Sequence, residues 1–254
     1  MFSPEATRIL ADVVLAAAAL AVAAWALVQI RRSRLTFAQT VINGLSSLLT
    51  RVQWRARVSG PPIPLGQGAV IVCNHRSSID PLFIALAAPR LVHWMVAKEY
   101  CQNPAFRWFL RTCEVIPTNR GGIDTAATKM AIRYAQQGGL VGVFPEGRIN
   151  TTPQLLLPGR PGAALIALKA RVPIIPCYIG GSPYDGTPWG SLLVTAKVCL
   201  RIGKPIDLSP YYGREREREV LEDLTRCFLA AIAELAGQSD FQPQLAGRFY
   251  KPDD

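Results

Sequence analysis

The sequence predicts an α/β protein in which a mostly parallel sheet is flanked by helices, with an N-terminal hydrophobic membrane helix or helical hairpin before it. Short runs rich in valine and isoleucine alternate with helix-like stretches, a pattern typical of a parallel sheet. With 254 residues and 50% hydrophobic content, the chain is long enough for one core plus an appendage. We therefore divide it into a membrane-anchoring segment, 1–57, and an α/β domain, 58–254.

The first predicted element is an apolar helix near the N-terminus. Residues 13–28 are uninterruptedly apolar, close to the roughly 20 residues that a bilayer-spanning helix needs. Arginines stand at 31, 32 and 34 after this run, whereas only Arg8 precedes it. Because positive charge stays on the cytoplasmic side, the sequence predicts a protein of the cell inner (cytoplasmic) membrane with its α/β domain on the cytoplasmic face.

A helical hairpin in one leaflet is the alternative to a spanning helix. Half of the residues in 13–28 are alanine, which contributes little to membrane insertion. The partner would be the stretch 37–49, whose apolar residues recur at helical spacing. Both arrangements hold the chain at a membrane. The net charge of +10 favours an acidic partner, and a membrane segment favours lipid over nucleic acid.

The α/β domain begins after the Pro-Pro-Ile-Pro run at 61–64. Short apolar runs predict buried strands at 68–73, 91–97, 113–117, 140–144 and 173–179. Helix-like stretches lie between or after them at 81–88, 104–111, 124–137 and 162–170. Residues 192–202 alternate in polarity and predict one further strand. A terminal helix with a highly charged start is predicted at 214–236.

The pair His75 and Asp80 follows the first strand of the domain. A neutral imidazole can take a proton near pH 7, and a nearby carboxylate can fix its tautomer and stabilise the imidazolium, so the pair predicts a general base with its orienting acid. A structural interpretation is also open, because Ser77 and Asp80 before the apolar run 81–86 match a helix-capping pattern. The two interpretations are compatible.

Cationic side chains follow three of the other strand ends, where α/β proteins carry their chemistry. They are Lys98, Arg120 and Arg148, and we expect them to converge on an anion such as a phosphate. Glu146, Gly147 and Arg148 together can shape a polyol and phosphate pocket. A local ion pair between Glu146 and Arg148 in a turn is an equal alternative.

Four ordered blocks carry a family resemblance. The chain resembles the glycerophospholipid acyltransferases, and most closely the 1-acyl-sn-glycerol-3-phosphate (lysophosphatidate) acyltransferases. The family's His-x4-Asp block corresponds to His75 and Asp80, and its arginine-bearing second block ends here at Arg120. The Phe-Pro-Glu-Gly and Val-Pro-hydrophobic-hydrophobic-Pro blocks stand at 144–147 and 172–176. The chain departs from the family where Arg148 follows Gly147 directly, without the intervening threonine.

The resemblance implies transfer of a fatty acyl chain from an acyl thioester, on coenzyme A or acyl carrier protein, to the free sn-2 hydroxyl of 1-acyl-glycerol-3-phosphate, giving phosphatidic acid. An acyltransferase for a different lysolipid and a membrane-associated thioesterase or hydrolase are the alternatives. His75 would be the general base and Asp80 its orienting partner. Glu146 and Gly147 would shape the acceptor pocket, while Arg120, Arg148 and Lys98 would bind phosphate. The implied partners are a phospholipid membrane, a lysophospholipid and the acyl donor, with no nucleic acid. No metal or resident cofactor is expected.

Two other residue types are given structural roles. His93 lies inside a strand-like run with no acidic residue before Glu99, which predicts a packed or edge histidine rather than a second base. The six cysteines, at 73, 101, 113, 177, 199 and 227, fall mostly in apolar runs without a Cys-x-x-Cys pattern. We expect them to be buried thiols in a reducing compartment.

Overall fold

The computed structural model describes residues 4–33, 35–64, 66–88, 90–119, 124–187 and 190–247. The helices of this part of the chain are α1 Pro4–Ser33, α2 Phe37–Val52, α3 Asp80–Ala87, α4 Lys98–Gln102, α5 Pro104–Thr112, α6 Thr125–Gln136, α7 Gly162–Ala170 and α8 Arg218–Leu235. The strands are β1 Arg57–Ser59, β2 Ala69–Cys73, β3 Val92–Ala97, β4 Ile116–Thr118, β5 Leu140–Val143, β6 Ile174–Gly180 and β7 Cys199–Ile202.

The strands form one sheet in the order β1-β7-β6-β2-β5-β3-β4. All neighbouring pairs are parallel except β6 and β7, which are antiparallel. Strands β2 and β5 are buried along their whole length, as their Val- and Ile-rich sequences require. The predicted fold class is therefore confirmed. Because β6, β2 and β5 are adjacent and parallel, their carboxyl ends meet at one edge of the sheet.

The core has one layer on each face of the sheet. On one face, α6, α7 and α8 pack through apolar residues such as Ala131, Ile166 and Phe228. On the other face, α3 packs through Phe83 and Ile84 beside the buried Trp54. Helix α2 lies against α3 on this second face. The edge at which the carboxyl ends of β6, β2 and β5 meet therefore lies between the α2–α3 layer and the α6–α8 layer.

Some elements differ from the sequence-based prediction, among them the strand predicted at 113–117, of which only Ile116–Thr118 forms β4. The predicted strand 192–202 is wrong in its first half, because only Cys199–Ile202 is a strand and Gly190–Leu192 is a 3₁₀ turn. The carbonyls of Leu192 and Val194 accept hydrogen bonds from Gln53 and Trp54 side chains rather than from a neighbouring strand. Helix α8 begins four residues later than predicted. The short β1 and α4 had no prediction.

The capping interpretation of Ser77 is half right. Helix α3 has Ile79 at its N-cap and no side-chain cap, so the Ser77 hydroxyl does not hold the helix start. Instead the Asp80 carboxylate accepts a hydrogen bond from the backbone N–H of Ser77. This is the reciprocal half of a capping box, and it folds the 74–79 loop around the carboxylate.

Helices α1 and α2 expose unusual surfaces. Within α1, Glu5–Ala24 is long and apolar enough to cross a membrane, and none of it is buried. Helix α2 buries polar residues (Gln39, Thr40, Ser46 and Thr50) and exposes an apolar stripe (Phe37, Val41, Leu45, Leu48, Leu49 and Val52). The stripe lies on the opposite side of the helix from the buried residues. Such a contiguous exposed apolar surface marks an interaction site.

Candidate active site

The site is assembled at the carboxyl ends of three adjacent strands. His75 follows β2, Glu146 follows β5 and Ser182 follows β6. The strand order reverses direction at β2. Strands β5, β3 and β4 lie to one side of it within the sheet, and strands β6 and β7 lie to the other side. Ligands of open α/β sheets bind at such a switch point.

The structure brings His75 and Asp80 together as a hydrogen-bonded pair. The His75 Nδ1 lies 3.0 Å from Asp80 Oδ2. An ionised carboxylate only accepts hydrogen bonds, so Nδ1 carries the proton and Nε2 carries the lone pair. The His75 side chain is 16% exposed and borders the large cavity described below, whereas the Asp80 side chain is fully buried. This geometry is that of a general base held by its acid.

The Asp80 carboxylate is fixed by three further donors. Its Oδ2 accepts the backbone N–H groups of Arg76 at 2.7 Å and Ser77 at 2.8 Å. Its Oδ1 accepts the Ser182 hydroxyl at 2.6 Å. Hydrogen bonds to a carboxylate of this kind are short and strong. Both oxygens are therefore occupied, and the carboxylate can only present itself to His75 in one orientation.

A stack of three aromatic rings fixes the plane of the imidazole. The His75 ring lies 3.8 Å from the Phe144 ring at an interplanar angle of 7°, and Phe144 stacks on Trp94 at 4.5 Å. Trp94 is accommodated because its β5 neighbour is Gly142; a Cβ there would lie 2.5 Å from the Trp94 ring. The phenylalanine of the Phe-Pro-Glu-Gly block therefore positions the His75 ring.

Glu146 acts on the backbone of the site rather than on the cavity. Its Oε1 accepts the backbone N–H of His75 at 2.7 Å, and its Oε2 accepts that of Leu157 at 2.9 Å. The residue is 2% exposed and does not line the cavity. The Glu146 carboxylate therefore holds the backbone at His75 and Leu157, and its role in shaping an acceptor pocket stays a prediction.

Burial of Glu146 makes the free energy of unfolding depend on pH. Desolvation raises the pKa of its carboxyl to about 7, against the opposing hydrogen bonds from Leu157 and His75. The folded state therefore takes up this proton more readily than the unfolded state, whose carboxyl has a pKa near 4.5. The free energy of unfolding should fall by up to about 3 kcal/mol from this group as pH rises from 4.5 to 7, and then stay level.

Glu146→Gln tests this. We expect the variant to lose that part of the pH dependence, because glutamine does not titrate. Its NH₂ group would also face one backbone donor, so turnover should fall. Thermal unfolding midpoints of both proteins, measured in the same detergent from pH 4 to 8, check the stability difference. Parallel pH curves for the two proteins would contradict the assignment.

A cavity of about 1560 Å³ opens at this edge of the sheet. Its apolar walls come from α2, α3 and α5, and its residues include Ile42, Leu82, Leu86, Phe109 and Leu110. His75 lies on its wall. Six arginines of the described chain line it: Arg148 and Arg160 together with Gly147, and also Arg51, Arg90, Arg216 and Arg218. The cavity therefore joins an apolar space to cationic side chains, with His75 on its wall.

The other predicted phosphate ligands are placed differently. Arg120 lies outside the described residues. Lys98 is exposed at the start of α4 and does not line the cavity. The N–H groups of Ala127 and Asn119 lower the pKa of Asp124, a cavity residue, and the charge of Lys98 adds to this. The charge of Lys98 therefore reaches a residue that lines the cavity, and the role of Lys98 in phosphate binding stays a prediction.

Four contributing residues were missed by sequence reasoning. Ser182 binds Asp80, Arg160 lines the cavity, and Phe144 stacks on His75. Asn74 donates to the carbonyl of Ile179 and accepts its N–H, which ties the loop after β2 to β6. Only its position offered a signal for Ser182, because it stands three residues beyond the end of the predicted strand 173–179, as the other site residues stand just beyond the ends of their strands.

The structural roles of His93 and the buried cysteines follow from their contacts. The His93 ring stacks on Tyr134 at 3.9 Å, and its Nδ1 lies 3.1 Å from the Glu114 carbonyl. It stands near the start of β3, away from the carboxyl edge of the sheet. Burial raises the pKa of the Cys73 and Cys177 thiols, so both remain neutral and pack as small apolar side chains.

Comparisons with known proteins show which family and fold the chain resembles. Residues 55–180 match the family model described as acyltransferase. The chain is 28% identical over 180 residues to a 1-acyl-sn-glycerol-3-phosphate acyltransferase of Bacillus subtilis, covering 70% of this chain and 86% of that protein. It is 31% identical over 144 residues to a Streptococcus pneumoniae protein of the same name, covering 55% of this chain and 50% of that protein, so it spans about half of that relative.

A solved structure shares the fold. The crystal structure of the 1-acyl-sn-glycerophosphate (LPA) acyltransferase PlsC from Thermotoga maritima matches with a TM-score of 0.60. The match covers 79% of this chain and 80% of the Thermotoga chain, at 23% sequence identity. The overall fold is therefore similar, although most side chains differ.

Proposed function

Since this chain belongs to the acyltransferase family and is an O-acyltransferase, we propose that it transfers a fatty acyl chain from an acyl thioester to the free sn-2 hydroxyl of 1-acyl-glycerol-3-phosphate, giving phosphatidic acid. The donor is coenzyme A or acyl carrier protein. The observation that carries the proposal is the position of His75, whose Nδ1 is held by Asp80 and whose Nε2 has no hydrogen-bond partner among the described residues, at a cavity lined by apolar side chains and by Arg148 and Arg160.

In the proposed reaction, His75 Nε2 takes the proton of the lysolipid hydroxyl as its oxygen attacks the thioester carbonyl carbon. The Asp80 carboxylate stabilises the imidazolium that forms. The tetrahedral intermediate then collapses, the carbon–sulfur bond breaks, and the imidazolium protonates the leaving thiolate. The products are an ester and a free thiol. No covalent enzyme intermediate, metal or resident cofactor is required.

The cavity supports a phosphorylated lipid as the acceptor. Its apolar walls suit an acyl chain, because hydrocarbon gains from leaving water. Among the arginines that line it, Arg148 and Arg160 accompany Gly147 of the Phe-Pro-Glu-Gly block, and their guanidinium groups suit a phosphate, which arginine binds through two parallel hydrogen bonds. A hydrolase of the same dyad would need no such cation. Arg120 and Lys98 remain proposed phosphate ligands, and Glu146 acts through the backbone of His75.

The membrane setting is part of the proposal. We assign residues 1–57 to membrane anchoring and 58–254 to catalysis, on the inner membrane with the catalytic domain facing the cytoplasm. The apolar window of α1 and the outward apolar stripe of α2 support this, since neither surface is covered by the rest of the described chain. Three of the arginines that follow α1's apolar window support the cytoplasmic side.

An acceptor-dependence assay tests the function. Purified protein is incubated with an acyl thioester, alone and with lysophosphatidate or other lysolipids, and both thiol release and acylated product are measured. We expect thiol release to require the acceptor, with lysophosphatidate the best of the panel. Release that ignores the acceptor would identify a thioesterase. A preference for an uncharged lysolipid would contradict the proposed role of the arginines.

A further inference from the structure

We propose that a second membrane contact exists besides α1 and α2, formed by Leu193 and Val194 at the tip of the segment between β6 and β7, which inserts into the lipid interface beside the catalytic dyad. We call these two residues the loop tip. This inference rests on the proposed function only for the identity of the lipid substrate, since the contact itself is with the bilayer.

The loop tip is apolar and exposed without a covering element in the described chain. Leu193 is 85% exposed, the largest exposure among the large apolar side chains of this part of the protein, and Val194 is 40% exposed. The stretch from Ser191 to Ala196 carries no charged residue. A lone exposed leucine is ordinary on a soluble surface, so its neighbours decide its meaning.

Those neighbours belong to the end of α2. The Gln53 side chain donates to the carbonyl of Leu192 at 2.6 Å, and the buried Trp54 indole N–H donates to the carbonyl of Val194 at 2.9 Å. Gln53 directly follows Val52, the last residue of the outward apolar stripe of α2. One hydrogen bond on each side of Leu193 therefore holds the loop tip beside the end of that stripe.

Charge selects lipid as the occupant. Arg51, in the last turn of α2, and Arg55, three residues beyond its end, are exposed and stand in sequence on either side of Gln53 and Trp54, the two residues that bind the loop tip. An apolar surface bordered by arginines is complementary to an anionic bilayer, where the apolar groups enter the hydrocarbon and the guanidinium groups meet lipid phosphates. The continuity with α2, and through it with α1, places the loop tip at the level of that surface.

The loop tip is also connected to the catalytic loop. The buried Ser191 hydroxyl lies 3.1 Å from the hydroxyl of Ser77, and the backbone N–H of Ser77 donates to Asp80. Leu192 lines the same cavity as His75. Inserting the loop tip in lipid therefore brings the dyad side of the cavity to the bilayer, where a lysolipid would enter.

A fluorescence measurement tests the contact without using activity. Leu193→Cys is labelled with an environment-sensitive fluorophore in a Cys227→Ser background, which removes the exposed cysteine. Met130→Cys in the same background is the matched control, because Met130 is partly exposed on α6, in the layer on the opposite face of the sheet. The Cys227→Ser protein without an added cysteine is treated with the fluorophore in the same way, and its signal is subtracted as labelling of other cysteines. With phosphatidylglycerol vesicles, emission should shift to the blue and rise several-fold at position 193 only. Equal responses at 193 and 130 would overturn the proposal, as would a vesicle-independent rise with protein concentration, which identifies a second copy as the occupant.

A kinetic measurement uses the intact enzyme. The double substitution Leu193→Ser and Val194→Ser should raise the KM for lysolipid embedded in vesicles by about tenfold, since full burial of a leucine is worth that factor or more. The kcat/KM for a water-soluble short-chain lysolipid should stay within about twofold of the parent. Equal losses on both acceptors would contradict a membrane contact. Failure of the parent itself to acylate any lysolipid would refute the proposed function, while the fluorescence result would still decide on the contact.

Discussion

Replacement of His75 by alanine is expected to lower the turnover number by a factor of about 10² to 10⁴, the usual contribution of a positioned general base. The imidazole is the titratable ring at the cavity wall, and its free Nε2 is the only group of the dyad that can reach an incoming hydroxyl in the described site. Asp80 is fully buried behind it. Loss of the ring therefore removes the proton acceptor while leaving the cavity and its arginines intact.

His93→Ala is the matched control for this prediction. Like His75, His93 stacks on an aromatic ring and makes a hydrogen bond through Nδ1, in this case with Tyr134 and the carbonyl of Glu114. It stands near the start of β3, away from the carboxyl ends of the strands. Its removal should reduce stability and leave the turnover of the folded fraction within a few-fold of the parent. The assay measures thiol release with saturating lysophosphatidate, normalised to folded protein by circular dichroism. Near-normal turnover of His75→Ala, with loss of turnover in His93→Ala, would reverse the assignment.

The fold could be predicted from the sequence where local pattern and burial agree. The strand of residues 69–73 and the helix of 162–170 were found at or within one residue of their bounds, because continuous apolar runs leave few alternatives. The prediction failed in 192–198, where the alternation of polarity is that of a strand. There the carbonyls are taken by side chains of Gln53 and Trp54, more than a hundred residues away in sequence. Local pattern carries no information on such partners.

The candidate site shows the same division. His75 and Asp80 are five residues apart, so a loop alone brings them together, and a motif in the sequence is enough to identify them. Ser182 and Phe144 reach the same pair from two other strands, and only the strand order brings them there. The sequence places Glu146 at the site, but it does not reveal that both carboxylate oxygens bind backbone amides, because a carboxylate directed at amides and one directed at a cavity have the same sequence.

The second large effect is expected for Asp80→Asn, which should lower turnover by about 10² to 10³ through loss of charge alone. The two backbone N–H groups of Arg76 and Ser77 both face the Oδ2 position and require an oxygen there. The asparagine oxygen therefore takes that place and still accepts from His75 Nδ1, while the NH₂ group faces the Ser182 hydroxyl, which can accept. The geometry and the tautomer survive, so the missing negative charge beside the imidazolium is the change that is measured.

Ser182→Ala separates orientation from charge at the same carboxylate. It keeps the charge of Asp80 but removes the 2.6 Å hydrogen bond to Oδ1. Hydrogen bonds to charged groups are worth about 1.5–3 kcal/mol, and because a water can take the place of the hydroxyl we expect the low end of that range, a loss of about tenfold in turnover. Ser182→Thr retains the hydroxyl and should recover most of the activity. Steady-state kinetics of the four proteins should show kcat falling in the order parent, Ser182→Thr, Ser182→Ala, Asp80→Asn, with KM for lysophosphatidate little changed, because none of these groups lines the apolar walls or carries a cation. If Ser182→Ala raised KM and left kcat unaltered, Ser182 would contact the acceptor. Its proposed role of orienting the Asp80 carboxylate would then be wrong.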